Sequence, residues 1–439
     1  MTDKNNKKTI VQGAVLAAAA VAVIGVPASA QQTGPIATYW VSVSTTSGMG
    51  YGSQAAVEEE APPAPAAKPA KAKPKAKKPG FGSIMGAVVS GATGLPVDLG
   101  GGGGAGAQDD EDDQADQAAA AAYARSRGIP GFGGGGPTRS LMLQLGSTQK
   151  PTAAPAADHL IPAGLGMGPS LPLVTPRQAR PEPRTDYMPP EAQGQQPKGK
   201  MLIYWGCGEH AAAPPIVIDF AKLGRGAAPN FPTVAVNAPQ PPSPGRFATY
   251  GEWPNERSNT PVPARASLVG AHSVQGNYSP PINFTLGAGQ DFMAPLSITT
   301  RPSAAGGSTL SWNAVPTATG YFAWLMGASS KGNGETMVLW SSSAQAVAFS
   351  ALMDYLPPSE VRRLIGTKVV LPPTVTTCTV PAEVLRGGVA GMVQMIAYGD
   401  EANFVDPPKP TTPKTPWNLK TAVKVRFKST GSAMVGMGM

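Results

Sequence analysis

The chain has 439 residues and a formal net charge of +8, with 6% aromatic and 14% charged side chains. Its 53 glycines and 48 prolines imply long low-complexity stretches together with loop-rich β structure. The basic balance is mild and its lysines sit mostly in one segment, so it does not point to nucleic acid, and three histidines leave little material for a metal centre.

The first 30 residues read as a cleavable signal peptide. Lys4, Lys7 and Lys8 form a positive start, Ile10 to Val26 is almost wholly apolar, and Ala28-Ser29-Ala30 supplies the small residues a signal peptidase accepts. The alternative is an uncleaved anchor, for which about 20 apolar residues are needed; Gly13 and Pro27 bound the run short of that. The residue after Ala30 is Gln31 rather than Cys, so lipid anchoring is not indicated. No later stretch is long and apolar enough to span a bilayer, so no membrane span is expected after cleavage. The expected location is the periplasm or cell surface.

Residues 31–56 hold one strand candidate, Ile36 to Thr45, rich in Tyr, Trp, Val and Thr. Leaving Tyr39 and Trp40 exposed is costly, so this segment is expected to dock on a distant sheet. Residues 57–137 form a Pro/Lys-, Gly- and Asp-rich linker whose composition cannot bury a core and favours an extended or disordered chain. In composition it resembles the Pro/Lys spacers that reach across a bacterial periplasm. Its Gly131, Gly133 and Gly136 match G-x-G-x-x-G only formally, since no strand precedes them and Pro137 follows. The acidic run from Asp109 to Asp116 lacks the central Gly and final Glu of a calcium loop.

A β-rich domain is expected over 138–293. Leu141, Leu143 and Leu145 alternate with polar or flexible residues, as in a half-buried strand. Further strand candidates are Met201 to Trp205, Ile216 to Phe220, Thr233 to Val236, Ser267 to Ala271 and Ile282 to Leu286. The Pro-rich stretch 147–199 reads as a surface wrap, touching the domain through Leu160, Ile161, Leu165, Leu171 and Leu173.

Two clusters in this domain are candidate sites. Cys207, Glu209 and His210 follow a strand and offer nucleophile and ligand types, but neighbours on an extended chain point apart. Tyr250, Glu252, Trp253 and Asn255, with Tyr278 and Trp205, have the ring and amide types that bind sugar; the alternative is a packed loop corner. Glu209 with Glu252 is the one carboxylate pair a glycosidase reading can use, and nothing in the sequence brings the two together. The sequence therefore assigns no catalytic residue, no metal ligand set and no cofactor.

Residues 294–430 carry a resemblance. Leu310-Ser311-Trp312-Asn313, Val315-Pro316, Ala318 and Gly320-Tyr321 resemble the second and third strands of a fibronectin type III module. The resemblance implies that Trp312 and Tyr321 are core residues of facing sheets. Thr377, Thr379-Val380-Pro381 and Leu385 resemble the strand and corner that follow, and Met392 to Tyr398 the strand after it; Gly391-Met392 stands where the family has its corner Tyr. Ser359 to Ile365 is expected to make a turn or two of helix inside an insertion. Leu419 to Phe427 is expected as the last strand, an edge with Lys424, Arg426 and Lys428 outward. Residues 431–439 form a tail. The family implies binding or spacing rather than chemistry.

The two cysteines, Cys207 and Cys378, can pair in an exported chain or remain small buried thiols. The expected whole is mainly β, with two β-sandwich-like domains preceded by a long disordered low-complexity region. Its expected role is a non-catalytic cell-envelope protein that binds protein or polysaccharide, or scaffolds. The alternatives are a secreted hydrolase of envelope glycan and a structural subunit of a surface or secretion assembly.

Overall fold

A computed structural model of the chain describes residues 34–48, 136–176, 199–223, 234–329, 336–348, 350–412 and 417–436. The expected signal peptide and nearly all of the expected 57–137 linker lie outside the described residues.

The chain is mainly β. Its strands are β1 (Ala37–Ser47), β2 (Thr138–Ser147), β3 (Ala157–Leu160), β4 (Ser170–Leu173), β5 (Lys200–Trp205), β6 (Ile216–Asp219), β7 (Thr249–Trp253) and β8 (Gly270–Gly276). They continue with β9 (Ile282–Leu286), β10 (Ile298–Pro302), β11 (Ser308–Trp312), β12 (Gly320–Ser329) and β13 (Thr336–Ser341). The last three are β14 (Thr377–Val380), β15 (Ala390–Asp406) and β16 (Thr421–Val435). The longest helix among the described residues, α1 (Pro358–Gly366), starts on its proline, whose missing N–H costs nothing in a first turn. A shorter one, α2 (Ala382–Leu385), follows β14.

One nine-stranded sheet runs β6-β5-β13-β12-β15-β16-β1-β2-β7; a three-stranded sheet runs β10-β11-β14 and a four-stranded one β4-β3-β8-β9. The large sheet takes strands from both sides of residue 294. The boundary expected there therefore does not separate two sheets, and the two stretches share one core. The reason is pairing across long sequence gaps: β5 lies parallel to β13, and β1 lies parallel to β16.

The period of two explains which side chains meet. On one face Tyr39, Val41 and Val43 of β1, Leu141, Leu143 and Leu145 of β2, Tyr321, Ala323 and Leu325 of β12, and Val423, Val425 and Phe427 of β16 share a core with both smaller sheets. On the other face Phe322, Trp324, Met201, Ile203 and Leu339 pack with Val361 and Leu364 of α1. Trp312 and Tyr321, from different sheets, meet edge to face with ring centroids 5.7 Å apart. Each fully buried aromatic or aliphatic side chain contributes about 1.5–3 kcal/mol.

Three local expectations are corrected. Residues 147–199 are not only a surface wrap, because β3 and β4 form there and bury His159, Leu171 and Leu173. Thr233 to Val236 makes no strand over its described residues, and the strand sought at Ser267 to Ala271 lies later, at β8. Finally, β16 is not an edge. It has β15 antiparallel on one side and β1 parallel on the other, and it continues through Val435 into the expected tail. The bulge between Tyr398 and Glu401 in β15 depends on Gly399, where a Cβ would meet the Phe427 carbonyl oxygen at 2.7 Å.

Candidate functional site

Cys207 and Cys378 form a disulfide, with Cα atoms 5.1 Å apart. It ties the turn after β5 to β14, so Cys207 is neither a nucleophile nor a metal ligand. The neighbouring polar groups brace the same corner. The Glu209 carboxylate accepts hydrogen bonds from Ser303 Oγ (2.7 Å) and the Ala305 N–H (3.2 Å), which hold it below the usual carboxylate range. His210 Nδ1 lies 3.1 Å from Glu383 Oε1, while the Ala211 N–H donates to Glu383 Oε2 at 2.9 Å. That backbone donor is the main reason the Glu383 carboxyl is depressed. Glu383 belongs to α2, so three chain segments meet here.

The second cluster lies on β7, at the far end of the large sheet. Seven strand spacings separate β5 from β7, a path of about 30 Å along the sheet. Glu209 and Glu252 belong to separate partner sets, Ser303 with Ala305 for the first and Tyr250 for the second, and so do not form the paired carboxylates a glycosidase uses. Tyr250 donates to Glu252 Oε2 at 2.6 Å and accepts from Gln144 Nε2 at 3.1 Å. Burial raises the Glu252 carboxyl, and the Tyr250 hydroxyl partly offsets this. Trp253 is only 2% exposed and donates its indole N–H to Ser258 Oγ at 3.0 Å. Asn255 is a turn residue: its amide donates to the Pro172 and Glu252 carbonyls, and its oxygen accepts from the Arg257 and Ser258 N–H groups. Tyr250 and Tyr278 are buried too. Of the rings expected as a sugar platform, Trp253 and Tyr278 lie in the shared core and Tyr250 is buried on the other face of β7, while Trp205 is only partly buried near the opposite end of the sheet, so the four do not form one exposed face.

The densest polar geometry lies on the two faces of β1. On the apolar face a one-way relay begins on that strand. The Tyr39 hydroxyl lies 2.8 Å from His159 Nδ1, His159 Nε2 lies 3.0 Å from His272 Nδ1, and His272 Nε2 lies 2.7 Å from the Leu268 carbonyl oxygen. Burial favours the neutral form of both rings, and with both neutral only one proton arrangement satisfies all three contacts. Tyr39 donates to His159, the His159 Nε2–H donates to His272, and the His272 Nε2–H donates to Leu268. Burial pushes His159 well below its ordinary value, the neighbouring His272 adding to it, and burial also lowers His272. Phe284 stacks on His272 with ring centroids 4.8 Å apart.

The opposite face is basic. Arg426 donates from Nε to Ser42 Oγ at 2.8 Å, with its guanidinium 4.9 Å from the Trp40 ring centroid and 4.2 Å from that of Tyr355. Lys428, 1% exposed, sits 3.2 Å from Asp354 Oδ1 and 4.4 Å from the Tyr355 ring centroid. Lys424 reaches Glu401 Oε2 at 2.5 Å. The row expected to face solvent is thus enclosed by rings and carboxylates.

Sequence reasoning missed both faces. The signal for the relay was parity, since Ala157 with His159, and His272 with Val274, each fall on one side of a strand. No group of three His, Cys, Asp or Glu arranged to hold a metal occurs among the described residues. No helix among them is long and apolar enough to cross a membrane, which says nothing of a β-barrel. No family model, curated protein or solved structure matches the chain.

Proposed function

We propose that this is an exported, non-catalytic protein of the cell envelope that works by contact with other proteins, as a binding module or scaffold. The observation that carries this reading is the use of the candidate side chains. Glu209, His210, Glu252, Trp253, Asn255 and the buried histidines each have an internal partner, and the acids lie at opposite ends of the sheet. Enzymes concentrate such groups in one cleft; this chain disperses them as braces. The burial of Tyr250, Trp253 and Tyr278 favours a protein partner over a polysaccharide one. The Cys207–Cys378 bridge agrees with an oxidising compartment and hence with export.

The resemblance of residues 294–430 to a fibronectin type III module belongs to this proposal. Two features support it: β10-β11-β14 face the run β13-β12-β15-β16 across one core, and Trp312 touches Tyr321 between them. The test is a pull-down with the purified chain from solubilised envelope fractions, beside cosedimentation with purified cell-wall polymer. Retention of defined proteins is expected. Retention by polymer alone transfers the reading to a polysaccharide binder, and no retention in either arm defeats it.

A further inference from the structure

In the large sheet β1, like β2, meets both of its neighbours only across long stretches of chain. It forms eleven parallel register pairs with β16 and ten antiparallel pairs with β2, and it is the strand that joins those two in the sheet. Neither neighbour is reached by a tight turn. Thr46 and Thr138 face each other yet are 92 residues apart, and Thr46 bonds Thr430 across 384 residues. An ordinary hairpin loop of two to five residues forces the two strands to come from the same chain. Here a connection of 92 residues has a contour of about 300 Å. Chain length therefore does not decide whose β1 fills the place between β2 and β16. Loop-closure entropy points the same way, because it rises with the logarithm of loop length and weakens the preference for a chain's own strand.

The place itself is built to select this strand. One wall presents the relay partner His159, which takes the Tyr39 hydroxyl; the other presents Arg426, which takes Ser42 and stacks on Trp40. An arbitrary β strand would leave His159 and Arg426 without those contacts. We propose that β1 is an exchangeable strand: the Ala37–Ser47 segment of one copy seats between β2 and β16 of a second copy and links the chains. This deepens the scaffolding reading above and rests on it for its purpose, although the exchange is measured independently. The recognition mode is strand addition, in which main-chain hydrogen bonds supply affinity and alternate side chains supply specificity.

Ser44 faces Ser140 in the β1–β2 register. Two chains of different mass, one carrying Ser44→Cys and the other Ser140→Cys, are co-expressed in an oxidising compartment. The expected result is a covalent heterodimer of summed mass in non-reducing gels, lost on reduction. Single-chain species alone, with the S44C/S140C double variant closing its bridge within one chain, overturn the proposal. Sedimentation of the unsubstituted chain gives a readout that needs no cysteine variant. Species larger than one chain are expected, and a peptide of residues 34–48 in excess should shift them to one chain with bound peptide. A single-chain mass at every concentration, with no peptide uptake, overturns the proposal. Retention in the envelope pull-down without exchange contradicts only the strand transfer and leaves the binding reading standing.

Discussion

The sandwich around Trp312 and the seam around β1 are built on opposite principles. In the first, β10 to β12 follow one another, and Trp312 and Tyr321 meet from positions nine residues apart in sequence. In the second, the partners of one eleven-residue strand come from 92 to 384 residues away. The sandwich holds together through apolar burial between sheets. The seam adds a polar relay on one face and stacked cations on the other. Local order makes a region legible and cohesive; distant pairing makes a region that is specific, conditional and open to exchange.

The comparison breaks first where apolar mass is removed. Trp312→Ala should cost about 3–5 kcal/mol by chemical denaturation, because it empties the space between the facing sheets. A loss below about 1 kcal/mol would mean that those sheets are not packed on this ring. Opening the Cys207–Cys378 bridge should cost about 3–5 kcal/mol, since it closes a loop of 171 residues. The double Cys→Ser variant reads this in the same assay.

The seam should respond less to truncation and more to pH. Tyr39→Phe leaves His159 Nδ1 without its donor inside the core and should cost about 1–2 kcal/mol at pH 8. The histidines give the direction of the pH effect. In the unfolded chain they titrate near 6.5, whereas burial keeps them neutral to lower pH in the folded chain. Below 6.5 the unfolded chain binds protons that the folded chain does not. Stability is therefore full above that value and falls as pH drops towards the depressed folded values, by at most about 1.4 kcal/mol per pH unit for each ring. His272→Gln should reduce this slope and the His159→Gln/His272→Gln double variant should remove it, while Trp312→Ala should leave it unchanged. A slope that persists undiminished in the double variant would place the titration elsewhere. Smallest of all, Glu401→Gln should cost about 0.5–1 kcal/mol, because Lys424 keeps partial access to solvent and the Trp40 ring.

Much of the fold was legible where period and neighbours agree. Leu141, Leu143 and Leu145 alternate in sequence and point together into the core, and Ile282 to Leu286 does likewise. Tyr39 and Trp40 announce a strand that must be buried. What they do not announce is the partner, because a strand's pattern fixes its faces and leaves its neighbours open. The same ambiguity hid the basic row. Lys424, Arg426 and Lys428 alternate identically whether their face meets water or is capped by Trp40 and Tyr355, and those rings come from β1, at the start of the fold, and from a segment about 70 residues earlier in the chain. Tyr250 to Trp253 read as a loop cluster because Gly251 weakens its strand pattern. The glycine is required there, since a Cβ would meet the Tyr278 hydroxyl at 2.5 Å. His159 and His272 lie on short strands 113 residues apart, and no local spacing reports that they touch.

The measurement that bears most directly on the seam is native-state hydrogen exchange followed peptide by peptide in the full chain. Amides of residues 37–47 should be protected to the same degree as those of β12 and β15, because β1 is hydrogen-bonded on both sides within the sheet. Rapid exchange across 37–47, with β12 and β15 still protected, would contradict the central position of β1 and everything built on its two faces.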